Sequence, residues 1–218
     1  KYKFLVKNKS VSNLVGFKPS KNFKKVAHKT PMLSLANAFD QEDLMNFEKR
    51  IINYLDENEE FQIEYSAEPK IDGISASLTY KKGKLVTGLS RGDGKEGEDI
   101  TENLKTIKDI PTQIIDKNFP NEIDIRGEVF IQNSDFKKFS EKFANPRNAA
   151  SGSLRQKNPT ETKKIPLKFI AYTFGYEKGL KISTQNEFLV RLKRWGFKTN
   201  SLNKTLKGIK NLMINYNE

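Results

Sequence analysis

Apolar residues alternate with small or polar ones through Ile74, Ala76, Leu78 and Tyr80, break at Lys81-Lys82-Gly83-Lys84, and resume over Leu85–Leu89. A period of two on either side of a glycine-containing turn predicts a β-hairpin. A second alternating run, Glu122–Ile131, sets Ile123, Ile125, Gly127 and Val129 on one side of a strand and Asp124, Arg126, Glu128 and Phe130 on the other. Leu167–Tyr176 is apolar at odd and even positions alike, which predicts a central strand buried on both faces. Elsewhere the period is helical. Asp40 caps a helix over roughly 41–57 with Leu44, Phe47, Ile51 and Leu55 on one face. Asp99 caps a short helix carrying Ile100, Leu104 and Ile107, which Pro111 stops. Ser134 predicts the cap of a helix bearing Phe136, Phe139 and Phe143. Thr184 and Glu187 form a capping box for a helix with Phe188, Leu192 and Trp195, closed by Gly196. A last helix holds Leu206, Ile209 and Met213, and residues 1–30, rich in Lys, Asn and Ser, are expected to be a connector. Hairpins mixed with helices, with no internal repeat, predict an α+β fold.

Composition narrows the chemistry. With 36% hydrophobic and 30% charged residues the chain reads as a soluble globular protein. It has no apolar run of membrane-spanning length and no signal-peptide pattern, so a cytoplasmic location is expected. Cysteine is absent and His28 is the only histidine, which removes disulfides, thiolate nucleophiles and Cys- or His-clustered metal sites. His28 precedes Lys29-Thr30-Pro31 in a loop-like stretch and reads as a surface or hydrogen-bonding residue. Covalent chemistry therefore falls to Lys, Ser, Thr, Tyr, Asp or Glu. The net charge of +12 favours a polyanionic partner, nucleic acid first. An AT-rich genome that supplies lysine to any surface would produce the same balance, so charge alone decides little.

Candidate chemistry concentrates in four segments. Lys70-Ile71-Asp72-Gly73, preceded by Ala67-Glu68-Pro69, offers a lysine nucleophile, with Glu68 held extended before its proline. A free lysine has a pKa near ~10.4, so its lone pair becomes available only if burial, cations or a metal favour the neutral amine. Arg91 stands in a loop whose Gly92, Gly94 and Gly97 alternate with charges, a pattern that brings backbone and guanidinium against a polyanion. Glu128 lies mid-strand among apolar residues and needs a partner, whether Arg126, another arginine or a ribose hydroxyl. Asn145–Gln156 is small, polar and carries Arg147 and Arg155, which can fork onto phosphates; a plain helix–turn connector has the same composition.

Taken together and in this order, the segments resemble the adenylation domain of bacterial NAD-dependent DNA ligases. The resemblance rests on Pro31–Leu35 with Ala38-Phe39, Glu68–Gly73, Arg91–Gly94 followed by Gly97–Thr101, Arg126–Phe130, Asn145–Gln156 and Tyr172, and it spans about residues 10–215. It implies a nucleotidyltransferase (ATP-grasp-like) fold, with antiparallel sheets flanked by helices. Lys70 would attack the α-phosphate of NAD, expel nicotinamide mononucleotide and hold AMP as a phosphoramidate. Glu68 and the backbone around Ser34 and Leu35 would contact the adenine side, Arg91 and Glu128 would fix the ribose, and Tyr172 would stack on the base or serve as core. Arg147 and Arg155 would face nicked double-stranded DNA. Mg²⁺ would bind through water and phosphate, with Asp72 and Glu128 as outer-sphere candidates. Adenylate transfer to a 5′-phosphate and attack by a 3′-hydroxyl would seal the nick in replication and repair. The competing readings are an ATP-dependent DNA or RNA ligase and an inactive basic DNA-binding module.

The same resemblance implies parts beyond this stretch. They are an amino-terminal domain that grips the nicotinamide half, two later lysine motifs, and a carboxyl-terminal region in which Zn²⁺ is expected. Residues 1–30 are then a connector and 31–218 an adenylation domain incomplete at its carboxyl end, in a monomeric enzyme. The isolated 218 residues are predicted to seal no nicks. Ligated product in a gel assay with this piece alone would contradict that expectation.

Overall fold

In the computed structural model, which describes residues 23–58 and 60–217, strands and helices interleave along the whole described chain. The first half contains β1 (Lys25–Ala27), α1 (Gln41–Leu55), β2 (Glu64–Ala67), β3 (Ile74–Lys81), β4 (Lys84–Ser90), β5 (Glu96–Glu98) and α2 (Thr101–Leu104). The second contains β6 (Glu122–Phe130), α3 (Asn133–Phe136), α4 (Pro146–Leu154), α5 (Pro159–Lys163), β7 (Lys168–Lys178), α6 (Gln185–Arg194), β8 (Lys204–Lys207) and α7 (Gly208–Asn217).

The two alternating runs pair with each other. β3 and β4 form the expected hairpin, turned by Lys82 and Gly83 at φ 48° and 78°. β3 also pairs antiparallel with β6, opposing Ala76 to Gly127, Leu78 to Ile125 and Tyr80 to Ile123. The four-stranded order is β4-β3-β6-β7. One face of this sheet is the core, where the apolar row of β3 and β6 meets Leu104, Leu154, Phe188, Leu192 and Trp195 from the helices. The opposite face carries Ser75, Ser77 and Thr79 of β3 beside Glu128, Arg126 and Asp124 of β6. Strict alternation thus separates a dry side from a polar side.

β7 is not central, as its composition suggested, but lies at the sheet's edge. Phe169 and Ala171 turn to the core, and the outer margin is covered where Ala171 N–H donates to the Lys198 carbonyl at 2.9 Å. Most of the strand is half-buried, with β6 as its ladder partner among the described residues. A register shift between Arg126 and Gly127 pairs them with Thr173 and Ala171, leaving Tyr172 as the bulged residue between.

Helix starts follow local chemistry closely. Asp40 accepts from Asp43 N–H at 2.8 Å, and Thr184 accepts from Glu187 N–H at 3.2 Å while the Glu187 carboxylate accepts from Ser183 N–H. Asp99 accepts from both the N–H and the hydroxyl of Thr101, although the residue bounding α2 is Ile100. Ser134 does not cap: α3 begins after Gln132, without a side-chain cap, and runs into separate turns such as Phe139 N–H to the Phe136 carbonyl at 2.7 Å. Leu206 belongs to β8 rather than to the last helix, which starts at Gly208. Lys25–Ala27, within the stretch expected to be a connector, forms β1 and pairs with β5, while residues 1–22 lie outside the described residues. β2 and β8 form a further two-stranded sheet, tied to α1 and α7 by Glu48, which accepts from Tyr65 O–H and Ile209 N–H.

Gly127 meets the ring of Phe169 and the carbonyl of Ile170 wherever a Cβ would project. Overpacking a dense core costs about 1–3 kcal/mol. Gly127→Ala is accordingly expected to lower unfolding free energy by about 2 kcal/mol in chemical denaturation; a loss below about 0.5 kcal/mol, the scatter of surface changes, would show that the strands part easily there.

Candidate active site

The polar face of the sheet is crossed by the segment that follows β1. His28 N–H donates to the Lys95 carbonyl and Met32 N–H to the Gly94 carbonyl, both at 2.8 Å, so the segment runs along the glycine-bearing loop. Two arginines rise to meet it. Arg126, only 8% exposed, donates to the Pro31 carbonyl at 3.1 Å and to the Thr30 carbonyl. Arg91 donates to Ser34 Oγ at 2.7 Å and to the Met32 carbonyl at 3.4 Å. His28 approaches the Arg91 carbonyl at 3.1 Å, which makes it a hydrogen-bonding residue. Gly94 sits at φ 93°, where a Cβ would press on the Met32 carbonyl. Ser34 and Leu35 are left exposed beside Arg91.

Glu128 lies on the same face, 7% exposed. Its partner is not Arg126 but Ser75, whose hydroxyl donates at 2.9 Å. Burial pushes the Glu128 carboxyl above the usual range, while the Ser75 hydrogen bond and the charges of Arg147 and Lys70 oppose that rise. Tyr172 is half-buried; burial raises its phenol, and Ser75, Glu128, Arg126 and Arg91 all act on it. The bulge in β7 delivers that side chain to the polar face. Gly73 packs so tightly on β6 that a Cβ would overlap the Val129 carbonyl and Glu128 Cγ. Its smallness therefore serves the approach of the Lys70–Gly73 turn to the strand.

Lys70 is exposed, and its charge reaches Glu128 through space. Asp72 is bridged to Arg147 Nη1 at 2.8 Å, with both side chains at least half exposed. Exposed pairs of this kind contribute about 0–1 kcal/mol, so the bridge is easily exchanged for another partner. Glu68 is firmly held: it accepts from Ser66 Oγ at 3.0 Å, Gln185 Nε2 at 2.8 Å and Asn203 Nδ2 at 3.4 Å. Gln185 and Asn203 were not singled out from the sequence, because 117 and 135 residues separate them from Glu68 and neither stands in a motif.

Lys70, Arg147 and Asp72 thus act on Glu128 at one end of the polar face, where Ser75 also touches Tyr172 and the Arg91 backbone, and Arg91 reaches on to Ser34. Arg155 stands apart: its Nε donates to the 4% exposed Glu98 at 2.6 Å and its Nη1 to Ser151 Oγ at 2.8 Å. The small residues of Asn145–Gln156 form α4, capped by Asn145 with Pro146 leading, and Ala149, Ala150 and Ser151 are buried. Among the described residues no cluster of three or more His, Cys, Asp or Glu could hold a metal. The donor set suits a hard cation carried mainly by phosphate and water rather than a protein cage. No described helix is long and apolar enough to cross a membrane.

Chemically, the arrangement offers an exposed amine beside a polar sheet face, a desolvated carboxylate, two anchored guanidiniums and an aromatic phenol. A family model described as the NAD-dependent DNA ligase adenylation domain matches residues 20–218. A DNA ligase of Pelagibacter ubique is 69% identical over 218 residues, covering 100% of this chain and 32% of that protein. A DNA ligase of Parvibaculum lavamentivorans is 49% identical over 210 residues, with 93% and 30% covered. One from Hahella chejuensis is 42% identical, with 95% and 32% covered. The chain spans about a third of the length of these relatives.

The desolvated Glu128 sets a pH dependence. Its native pKa lies above the unfolded value, so the native state keeps a proton that the unfolded chain has released. Stability therefore falls as pH rises through the interval just above the ordinary glutamate value. Glu128→Gln removes that loss while retaining an acceptor for Ser75. The melting temperature of the variant relative to the parent is expected to climb between pH 4 and pH 7, and a flat difference would mean that burial does not strain the carboxylate.

Proposed function

Because this chain belongs to the family of NAD-dependent DNA ligase adenylation domains, we propose that Lys70 takes AMP from NAD. The observation that carries this reading is an exposed lysine whose charge acts on a buried glutamate, on a polar sheet face fenced by two anchored arginines. Once its proton is lost, the Lys70 amine attacks the α-phosphorus. An N–P bond forms, the P–O bond to nicotinamide mononucleotide breaks, and that group departs with the bond's electrons. Position and charge do most of the work at phosphorus.

Around that step, Glu128 accepts hydrogen bonds from the ribose and Arg91, steadied by Ser34, supports its other side. Glu68 and the backbone at Ser34 and Leu35 read the adenine edge, and Tyr172 supplies a stacking face. The fold that supports this is read as a nucleotidyltransferase fold over residues 31–218. Mg²⁺ would be held by phosphate and water, with Asp72 and Glu128 as the outer-sphere acids, and would supply neutralisation of phosphate charge. Asp72 serves only after releasing Arg147, which costs little at an exposed bridge.

In the whole protein, the adenylate passes to the 5′-phosphate of nicked double-stranded DNA, a 3′-hydroxyl attacks, and AMP leaves. Arg147 and Arg155 are the proposed phosphate contacts. Each must first exchange a carboxylate for a phosphate, and the part-buried Arg155–Glu98 pair is the harder one to open. A monomeric, cytoplasmic enzyme of DNA replication and repair fits this reading.

The test is the intact mass of the full-length protein after incubation with NAD or with ATP. A single AMP adduct with NAD and none with ATP is expected, together with no adduct for Lys70→Ala or Lys70→Arg at unchanged melting temperature. Full adenylation of Lys70→Arg would refute the assignment, since a guanidinium stays protonated.

A further inference from the structure

The base-reading side of the cleft contains a residue that no part of the reaction above uses. Gln185 is the first residue of α6, directly after the Thr184 cap, so its backbone is fixed by the helix start. Its amide nitrogen donates to Glu68 Oε1 at 2.8 Å and to the Tyr172 carbonyl at 2.6 Å. Both partners only accept, so they determine which end of the amide is nitrogen, and both amide hydrogens are used. The Tyr172 carbonyl belongs to the bulged residue that the β6–β7 register leaves out. One amide therefore ties the carboxylate that meets a base edge to the strand position that carries the stacking ring.

We propose that Gln185 is a positioning residue that sets base selectivity, holding Glu68 and Tyr172 in register so that the cleft accepts a dinucleotide whose purine bears an exocyclic amine. The inference rests on the reading of Glu68 as the adenine-edge contact. Glu68 Oε1 is already occupied by Ser66 Oγ and Gln185 Nε2, whereas among the described residues Oε2 receives only a long 3.4 Å approach from Asn203. Oε2 thus retains acceptor capacity, which is assigned to the ligand. It takes a hydrogen bond from an amine, but against a ring carbonyl two acceptors would face each other. Sites built around a specific hydrogen bond reject analogues that leave it unmade far more strongly than apolar pockets do. Without Gln185 the carboxylate can swing, and the discrimination goes with it.

The experiment compares lysine adenylation of the full-length protein with NAD and with its hypoxanthine analogue, in which a carbonyl replaces the amine. Gln185→Met keeps bulk and removes both donors. It is expected to lower kcat/KM for NAD about tenfold, chiefly through KM, and to shrink the preference for NAD over the analogue by a similar factor. Ser66→Ala, which removes the other donor to the same oxygen, should move the preference in the same direction by less. It decides the question if Gln185→Met fails to fold. A preference unchanged within about twofold in the folded variant overturns the inference. Glu68→Ala separates the two levels: if it leaves the preference intact, the reading of Glu68 itself falls. If it abolishes the preference while Gln185→Met does not, only the role of Gln185 falls.

Discussion

Two guanidiniums, together with the Met32 N–H to Gly94 carbonyl bond, hold residues 30–34 across the polar face of a four-stranded sheet. Arg126 donates through its two terminal nitrogens to the Pro31 and Thr30 carbonyls while its Nε finds no partner among the described residues, and Arg91 donates to Met32 and Ser34. Hydrogen bonds from charged groups contribute about 1.5–3 kcal/mol net each, and a buried charge without them would be intolerable. Burial lowers the pKa of Arg126, so the strand accepts a strained cation to secure a loop. The strap fixes a segment that leaves Leu33 and Leu35 largely exposed.

The floor of the cleft shows the same trade. Glu128 is buried on a strand whose neighbours in register are Ser75 and Ile170, and only one of these can donate. An apolar residue there would suit the fold better, since a half-satisfied carboxylate raises the energy of the native state. The acid is tolerated because its unmet acceptor capacity and its coupling to Lys70 face the cleft. Gly73 completes the arrangement by letting the lysine turn lie directly on the strand that bears the acid. The residues proposed for function are the ones at which the fold gives up local stability.

Much of this was legible in the sequence wherever the determining interaction is local. Asp40 capping α1, Thr184 with Glu187 at α6, and the Lys82-Gly83 turn all act within a few residues. The alternation in β6 correctly set Glu128, Arg126 and Asp124 on one face. Non-local pairing was not legible. Three- and four-residue strands such as β1 and β8 carry too little pattern to announce partners about 70 and 140 positions away. The apolar character of β7 reflects cover from Lys198 and the core rather than a central place in the sheet. At the site, Lys70, Arg91 and Glu128 stood in recognisable segments. The commitment of Arg126 to backbone, of Arg147 to Asp72 and of Gln185 to Glu68 depends on folding alone.

The most direct measurement is a crystal structure of the full-length protein after reaction with NAD. Continuous density from Lys70 Nζ to a phosphorus atom is expected, with ribose hydroxyls at Glu128 and the base between Tyr172 and the strapped segment at Ser34-Leu35. Density showing the adenylate on another residue, or a nucleotide lying away from the polar sheet face with Lys70 unmodified, would contradict it.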